Sequence, residues 1–492
     1  MTQPPGRLNY HFRFGPDGKE SKAKPAGPLG HLLFVAPYSG TLRSENATPE
    51  FLAHVLEPGE RFRITEGVLS VEPLASGGKA SVYRYSDTES LHPSKLLSAV
   101  AQLSELWEPL KGLDREPEAV ERLAKVLAQP PSIQAAAAAS LKAADLSGNV
   151  AATPEKHEDL LERLLGQRPS GGIAPATAQQ LVQRLAEQAL AENRQGSASN
   201  DRGPSTHLHS PAQTELCRRL RELLRQEAFQ RISGSWLATE MVVKACPDPS
   251  CARFSAVDAS WELLLAEPSR LDALLKNACP SVLMVDHCFA ADPSELRGLV
   301  TLAQMCHNRG VFLVTGAEYS LAGLRANDLP ASDLETADLE SPDLDTWQED
   351  WAPSAREAWA QLGALREGGA QFALTLPRCM IRQPYGSRGE PLEELDFEEL
   401  EDCPRPRQFL WANGAYLVAR ALMERWCLGQ SQSDEFYDIG GLPVVTVPDG
   451  NDRRIRAPIE REFSHSAVEQ LLDQGFSVVE TSRDADRARI HL

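Results

Sequence analysis

Long apolar runs are missing from this chain of 492 residues. None approaches the roughly 20 residues needed to cross a bilayer, so no membrane-spanning helix is expected. The opening Met1-Thr-Gln-Pro-Pro-Gly6 lacks the charged start and apolar core of a secretory signal. Basic residues are also scarce: 50 Lys and Arg stand against 69 Asp and Glu, for a net charge of −19. Phosphates must be neutralised by Lys and Arg, so neither a nucleic acid nor an anionic membrane is an expected partner. Cysteine is sparse and unpaired in pattern. The nine residues, an odd number scattered singly, follow the usage of reduced cytosolic thiols.

Catalytic and metal-binding patterns are equally thin. Ser76-Gly-Gly-Lys79 has the look of a phosphate-cradling glycine loop, but the other kinase signatures are absent, so a hairpin turn entering a strand is the reading. Cys246-Pro-Asp-Pro-Ser-Cys251 has one pair of thiols without the second pair that zinc sites use; His207 and His209 are poorly placed to complete it. The pattern reads as a proline-rich turn with free thiols, with a metal site as the alternative. Asp286-His287-Cys288 follows a buried strand, where α/β enzymes often carry chemistry. No nucleophile elbow accompanies it, so a turn or capping role is expected. No cofactor site is predicted.

What is present is a globular composition, 42% hydrophobic and 24% charged, in a chain long enough for two to four domains. Acid is concentrated in two stretches. Residues 328–350 hold nine carboxylates with no Lys or Arg, and residues 390–402 hold eight. Each is a solvated face or an electrostatic partner surface.

Periodicity divides the chain. Gly30 to Gly40 reads as a buried strand ending in a turn, Phe51 to Leu56 as a short helix, and Phe62 to Leu69 and Lys79 to Tyr85 as strands. After Leu91-His-Pro93, the residues Leu96, Val100, Leu103 and Leu106 or Trp107 share one helical face, and a second helix runs Glu116 to Ala128. These make a small N-terminal α+β domain, residues 1–128. Residues 129–157, rich in Ala and Pro, read as a linker. Residues 158–211 carry amphipathic helices at 158–167 and 178–192, then a Ser, Gly and Asn linker from Gln195 to Pro211. Residues 212–492 form a larger mixed-sheet α/β domain. Its strands Pro280 to Asp286, Gly310 to Gly316 and Phe372 to Leu376 are short, apolar and flanked by helices, so they are expected side by side, covered on both faces.

The densest pattern lies in that last domain. Leu374-Thr-Leu-Pro-Arg-Cys-Met-Ile-Arg-Gln-Pro-Tyr-Gly386 is a buried strand stopped by Pro377 and then by a Pro384-Tyr385-Gly386 turn. Arg378 and Arg382 flank that turn. A buried Arg needs a carboxylate, and residues 390–402 supply the nearest in sequence. Phe409-Leu-Trp-Ala-Asn-Gly-Ala-Tyr-Leu-Val-Ala419 reads as an apolar helix opening on Trp411 and Asn413, with Tyr416 inside it. Together these resemble the large contractile-sheath subunit (TssC) of bacterial type VI secretion systems. Phe229 to Trp236 is similar to that subunit's Phe-Gln…Trp segment, without the Arg-Gly that follows it there. The resemblance covers about residues 158–480. Pro37-Tyr-Ser-Gly40 and Leu91-His-Pro93 resemble, more weakly, two signatures of the small sheath subunit (TssB).

The resemblance implies a contractile-sheath-like fusion of both subunits, a structural component and not an enzyme, in the bacterial cytoplasm. It implies other sheath subunits and the Hcp tube as partners. Trp236, Pro377, Arg378, Arg382, Pro384, Tyr385, Gly386, Trp411, Asn413 and Tyr416 would be packing and turn residues. Leu160, Leu161, Leu164 and Leu165 form a stripe similar to the helix that the recycling ATPase ClpV grips in large subunits, or an ordinary packing helix. Large subunits continue for more than a hundred residues beyond the segments matching Gly441-Leu-Pro-Val-Val445 and Gly475-Phe-Ser-Val-Val479. That difference favours a protein that forms no long tubes alone, and it keeps open an accessory role, capping or tuning a sheath or binding a baseplate. An α/β enzyme resting on Asp286 and His287 is the remaining alternative.

Overall fold

The structure, a computed structural model, describes residues 30–40, 53–58, 62–74, 79–112, 117–127, 204–324, 348–401, 408–429, 436–449, 452–481 and 486–491. Its frame is a nine-stranded sheet. In chain order the strands are β1 (Gly30–Ala36), β2 (His54–Leu56), β3 (Gly67–Val71), β4 (Ser81–Tyr85), β5 (Ala252–Asp258), β6 (Val282–Phe289), β7 (Phe312–Ala317), β8 (Phe372–Leu376), β9 (Cys379–Met380), β10 (Trp411–Ala412), β11 (Phe436–Ile439), β12 (Val445–Asp449), β13 (Asp452–Arg456), β14 (Ser477–Thr481) and β15 (Ala488–His491). The α-helices are α1 (Pro93–Ala99), α2 (Ala101–Gly112), α3 (Pro117–Leu127), α4 (Pro204–Arg225), α5 (Glu227–Lys244), α6 (Trp261–Ala266), α7 (Pro268–Ala278), α8 (Pro293–Arg309), α9 (Pro353–Glu367), α10 (Ala415–Leu428) and α11 (His465–Asp473).

The large sheet runs β11-β15-β14-β8-β7-β6-β1-β5-β2. Its six inner strands, β14 to β5, are parallel, and antiparallel strands close both ends. The expected neighbours β6, β7 and β8 are adjacent, with Val314 opposite both Met284 and Ala373. A parallel strand is buried on both faces, and alternation sends its side chains to two cores. In β1, Leu32, Phe34 and Ala36 join one core, with α5 and α10. Leu33 and Val35 join the other, with α7, α8 and α9. Helix α8 shows how local sequence sets such an element. Asp292 accepts from Ser294 N (2.8 Å), Pro293 opens the first turn, and Gly310 closes the helix at φ 65°.

The N-terminal segment departs from its expected layout. Strand β1 lies between β5 and β6, paired in parallel with both, so its sheet is shared with residues 252–491. All seven β1 residues are buried. A strand apolar on both faces needs covering on each, and among the described residues the only sheet that segment makes by itself is the β3–β4 pair. The segment around Phe51 to Leu56 contains strand β2, where a helix was expected. Three residues are too few to repay helix nucleation, and β2 pairs instead with β5. The helix spanning Leu96 to Trp107 is two helices, because Val100 is extended (φ −83°, ψ 117°) between α1 and α2. The expected linker to Pro211 is shorter, since α4 starts at Pro204, with proline in the first helical position that suits it. Residues 158–167, with Leu160, Leu161, Leu164 and Leu165, lie outside the described residues, as do Ser76-Gly-Gly78 and most of the acidic stretch 328–350.

Candidate interaction core

Strand β8 ends at Leu376, and Pro377, which has no N–H to donate, stops the ladder. Two residues later β9 pairs antiparallel with β10, placing Met380 opposite Trp411. The chain then enters the Pro384-Tyr385-Gly386 turn. Arg382 makes a two-pronged bond to Glu399, Nη1 to Oε2 (2.7 Å) and Nη2 to Oε1 (2.8 Å). Both side chains are nearly enclosed, at 11% and 4% exposure. Burial works against the Arg382 charge, but the Glu399 carboxylate outweighs it and the guanidinium stays protonated. Glu399 also accepts from Tyr385 N (2.8 Å), while its own N–H donates to Tyr385 O (2.9 Å). Arg382 sits over the Tyr385 ring at 4.0 Å. One carboxylate thus closes the turn from both sides. Gly386 has φ 128°, where a Cβ would meet the Glu398 carboxylate at 2.5 Å.

Arg378 is held differently. Its Nε donates to Glu460 Oε2 (2.9 Å), which also accepts from Tyr319 OH (3.0 Å). Its carboxylate comes from far along the chain, whereas that of Arg382 comes from the acidic stretch 390–402. Asn413 stands just before α10. Its Oδ1 accepts from Ala415 N (3.0 Å) and its Nδ2 donates to His287 O (3.0 Å), bridging the helix start to β6. The expected helix opening is later by a few residues: Trp411 lies in β10 and α10 begins at Ala415. Trp411 is half-buried, beside Phe409 (5.7 Å) and under Arg456 (5.6 Å).

Trp236 and Tyr416 are fully buried and anchor a polar lattice within the core shared by α5 and α10. Asp286 Oδ2 accepts from Ser235 Oγ (2.6 Å) and Tyr416 OH (3.0 Å). Thr239 Oγ1 lies 2.6 Å from Tyr38 OH. Tyr38 O accepts from both Trp236 Nε1 (2.9 Å) and Tyr85 OH (2.7 Å). Burial raises the Asp286 carboxyl, opposed by the hydrogen bonds from Ser235 and Tyr416. Three rings of the N-terminal segment, Tyr38, Phe62 and Tyr85, pack edge-on to Trp236 at 5.8–6.0 Å. Sequence reading had Trp236 and Tyr416 but missed Ser235, Thr239 and Tyr38 as their partners. The signal was there: Ser235 and Thr239 are four apart on α5 and face one side, next to Trp236.

A second junction joins the two halves. His92 caps α1, accepting from Ser94 N (3.3 Å), and its ring stands edge-on to Tyr385 at 5.2 Å. Its Nε2 lies 3.7 Å from Glu390 Oε1. Burial lowers its proton affinity although Glu390 pulls the other way. The Leu91-His-Pro93 and Pro384-Tyr-Gly386 motifs, almost three hundred residues apart, therefore touch.

Asp286 and His287 do not form a working pair. Consecutive strand residues point to opposite faces. Asp286 is engaged by Ser235 and Tyr416, while His287 stacks on Trp261 (5.4 Å) and neighbours Phe289 (4.7 Å). Among the described residues no group of three or more His, Cys, Asp or Glu could hold a metal ion, and no helix is long and apolar enough to cross a membrane.

This geometry is that of an α/β domain whose motif residues hold turns, caps and strands together. Residues 279–491 match the VipB family, described as the EvpB/VC_A0108 tail sheath N-terminal domain. Over 128 residues the chain is 30% identical to the type VI secretion system sheath protein TssC1 of Pseudomonas aeruginosa, covering 25% of this chain and 26% of that protein. The matched region thus spans about a quarter of that relative's length. Residues 279–491 carry a TssC-like sheath domain, and both matches are described as sheath proteins.

Proposed function

We propose that this chain is a structural component of a type VI secretion contractile sheath, combining a small-subunit-like (TssB) N-terminal part with the large-subunit-like (TssC) remainder. The observation that carries the reading is the seating of β1 between β5 and β6. Two separate sheath subunits that pair would need such shared elements, and a fusion fixes them at one-to-one and raises their effective concentration. The sheath domain matched over 279–491 and the contact of His92 with Tyr385 support it. On this reading the chain works in the bacterial cytoplasm through contacts with other sheath subunits and the Hcp tube. On this reading the segment 158–167, with Leu160, Leu161, Leu164 and Leu165, is a handle for ClpV. The division into segments 1–128, 129–157, 158–211 and 212–492 follows the same reading, as does the structural role of the turn residues Pro377 to Gly386.

The test is affinity capture of the purified chain with sheath subunits, Hcp and baseplate proteins of a type VI system, followed by electron microscopy of the bound material. Incorporation along a helical layer around the tube supports the sheath reading. Binding confined to one end supports the accessory reading, a cap or assembly-tuning protein. No association with any of them contradicts both.

A further inference from the structure

The fold brings a third thiol to the Cys246-Pro-Asp-Pro-Ser-Cys251 turn, and it comes from the far end of the chain. Cys246 follows α5, and Cys427 lies in the last turn of α10, 181 residues later. Their Sγ atoms are 4.0 Å apart. Both point at one backbone carbonyl: Cys246 Sγ donates to Asp248 O at 3.3 Å, and Cys427 Sγ reaches the same oxygen at 3.9 Å. Cys251 stands beside them, its thiol directed to the Asp248 carboxylate at 3.4 Å. The turn itself is fixed by Ser250 N donating to Asp248 Oδ1 (2.8 Å) and Cys251 N donating to Asp248 O (2.9 Å). Cys246 is buried and Cys427 is half-exposed, so an oxidant in solution meets Cys427 first.

We propose that Cys246 and Cys427 form a reversible disulfide site, closed by a hydroperoxide, that staples the end of α5 to the end of α10. The separation must shorten to about 2.05 Å, which side-chain rotation about the two Cα–Cβ bonds supplies where the thiols already face each other. In the first step the Cys427 thiolate attacks one peroxide oxygen; the O–O bond breaks, and the leaving oxygen takes a proton to become water. Cys427 is then a sulfenic acid. The Cys246 thiolate attacks that sulfur, the S–O bond breaks, and hydroxide leaves as a second water. Two thiols and one hydrogen peroxide give one disulfide and two waters; sulfur is oxidised and peroxide reduced. Burial pushes the Cys246 thiol up and the Cys427 thiol up to about 11. The attacking thiolate is therefore rare near neutrality, and closure speeds up as pH rises toward that value. The groups facing the pair are the Asp248 carbonyl and carboxylate, the Cys251 thiol and the Met423 thioether, 3.9 Å from Cys427.

The experiment treats the full chain with hydrogen peroxide at several pH values, blocks remaining thiols by alkylation, and maps the peptides by mass spectrometry. The expected product is a Cys246–Cys427 cross-linked peptide, lost with dithiothreitol, forming faster at higher pH. The oxidised protein should melt at a higher temperature, because the bond restricts the unfolded chain. Cys427→Ser and Cys246→Ser should each remove the cross-link, while Cys251→Ser keeps it. Exposed Cys279 serves as the internal control for oxidation, open to alkylation before peroxide and closed to it afterwards. The proposal is overturned if Cys246 and Cys427 stay alkylatable after peroxide has oxidised Cys279, if the cross-link joins Cys251 instead, or if the purified thiols hold zinc that blocks oxidation. The peptide map of the unsubstituted chain decides the matter even if a serine variant fails to fold.

Discussion

Asp286 carries a carboxyl group into the interior of the sheet, where it accepts from the hydroxyls of Ser235 and Tyr416. Its folded-state carboxyl is raised by burial above the ordinary value of about 3.9. A raised group adds stability in full below its unfolded value and loses it as pH rises through its folded value. Asp286→Asn keeps an acceptor for Ser235 and Tyr416 but cannot ionise. The variant should therefore gain on the unsubstituted protein as pH rises from acid toward neutral, read from urea midpoints across pH; a difference that is flat or shrinks contradicts this. The Arg382–Glu399 pair has the opposite character. Removing one partner strands a buried charge, so Glu399→Ala should cost about 3–5 kcal/mol, and Arg382→Met with Glu399→Leu should recover much of the loss. Urea unfolding of the single and double variants checks both. Trp236 and Trp411 also separate. Trp236 is wholly enclosed, so Trp236→Ala should cost about 3–5 kcal/mol. Half-buried Trp411 should cost clearly less. Equal losses in thermal unfolding would contradict that ranking.

At the scale of elements, much was legible in the sequence because the physics was local. The apolar runs at Pro280 to Asp286, Gly310 to Gly316 and Phe372 to Leu376 pointed to covered strands of a mixed or parallel sheet, and strands β6, β7 and β8 lie side by side there. Helix α8 is written out by its Asp-Pro opening and its Gly310 close. What failed was set by contacts distant in sequence. Strand β2 exists because β5 offers it an edge, and Val100 breaks a helical stripe while staying buried in the same core. The place of β1 could not be read from its own residues: Gly30 to Ala36 announce a buried strand but not its neighbours. The core around Pro384-Tyr-Gly386 was half legible. The need of Arg382 for an acid nearby in sequence followed from burial, whereas Glu460 as the partner of Arg378 depends on a register that only the fold sets. Cys427 was invisible to the Cys246-Pro-Asp-Pro-Ser-Cys251 pattern for the same reason.

At the scale of the molecule, the two segments interlock at several places. Strand β1 is seated between β5 and β6, the Trp236 ring is walled by Tyr38, Phe62 and Tyr85, and His92 meets Tyr385. Arg219 Nη1 adds a bond to Gln102 O (2.8 Å) and Arg218 Nη2 one to Leu74 O (2.7 Å), tying α4 to the N-terminal segment. A seven-residue strand with parallel partners on both sides cannot leave without opening the sheet, so the covalent link between the segments should be dispensable for holding them together. The proposed fusion of two sheath-type subunits rests on this interlock. The direct measurement is to place a protease site between residues 129 and 157, cleave the folded protein, and follow the pieces by size-exclusion chromatography under native conditions. The account predicts that both pieces elute together at the position of the intact chain and separate only in denaturant. Pieces that part after cleavage, each still folded by circular dichroism, would contradict it.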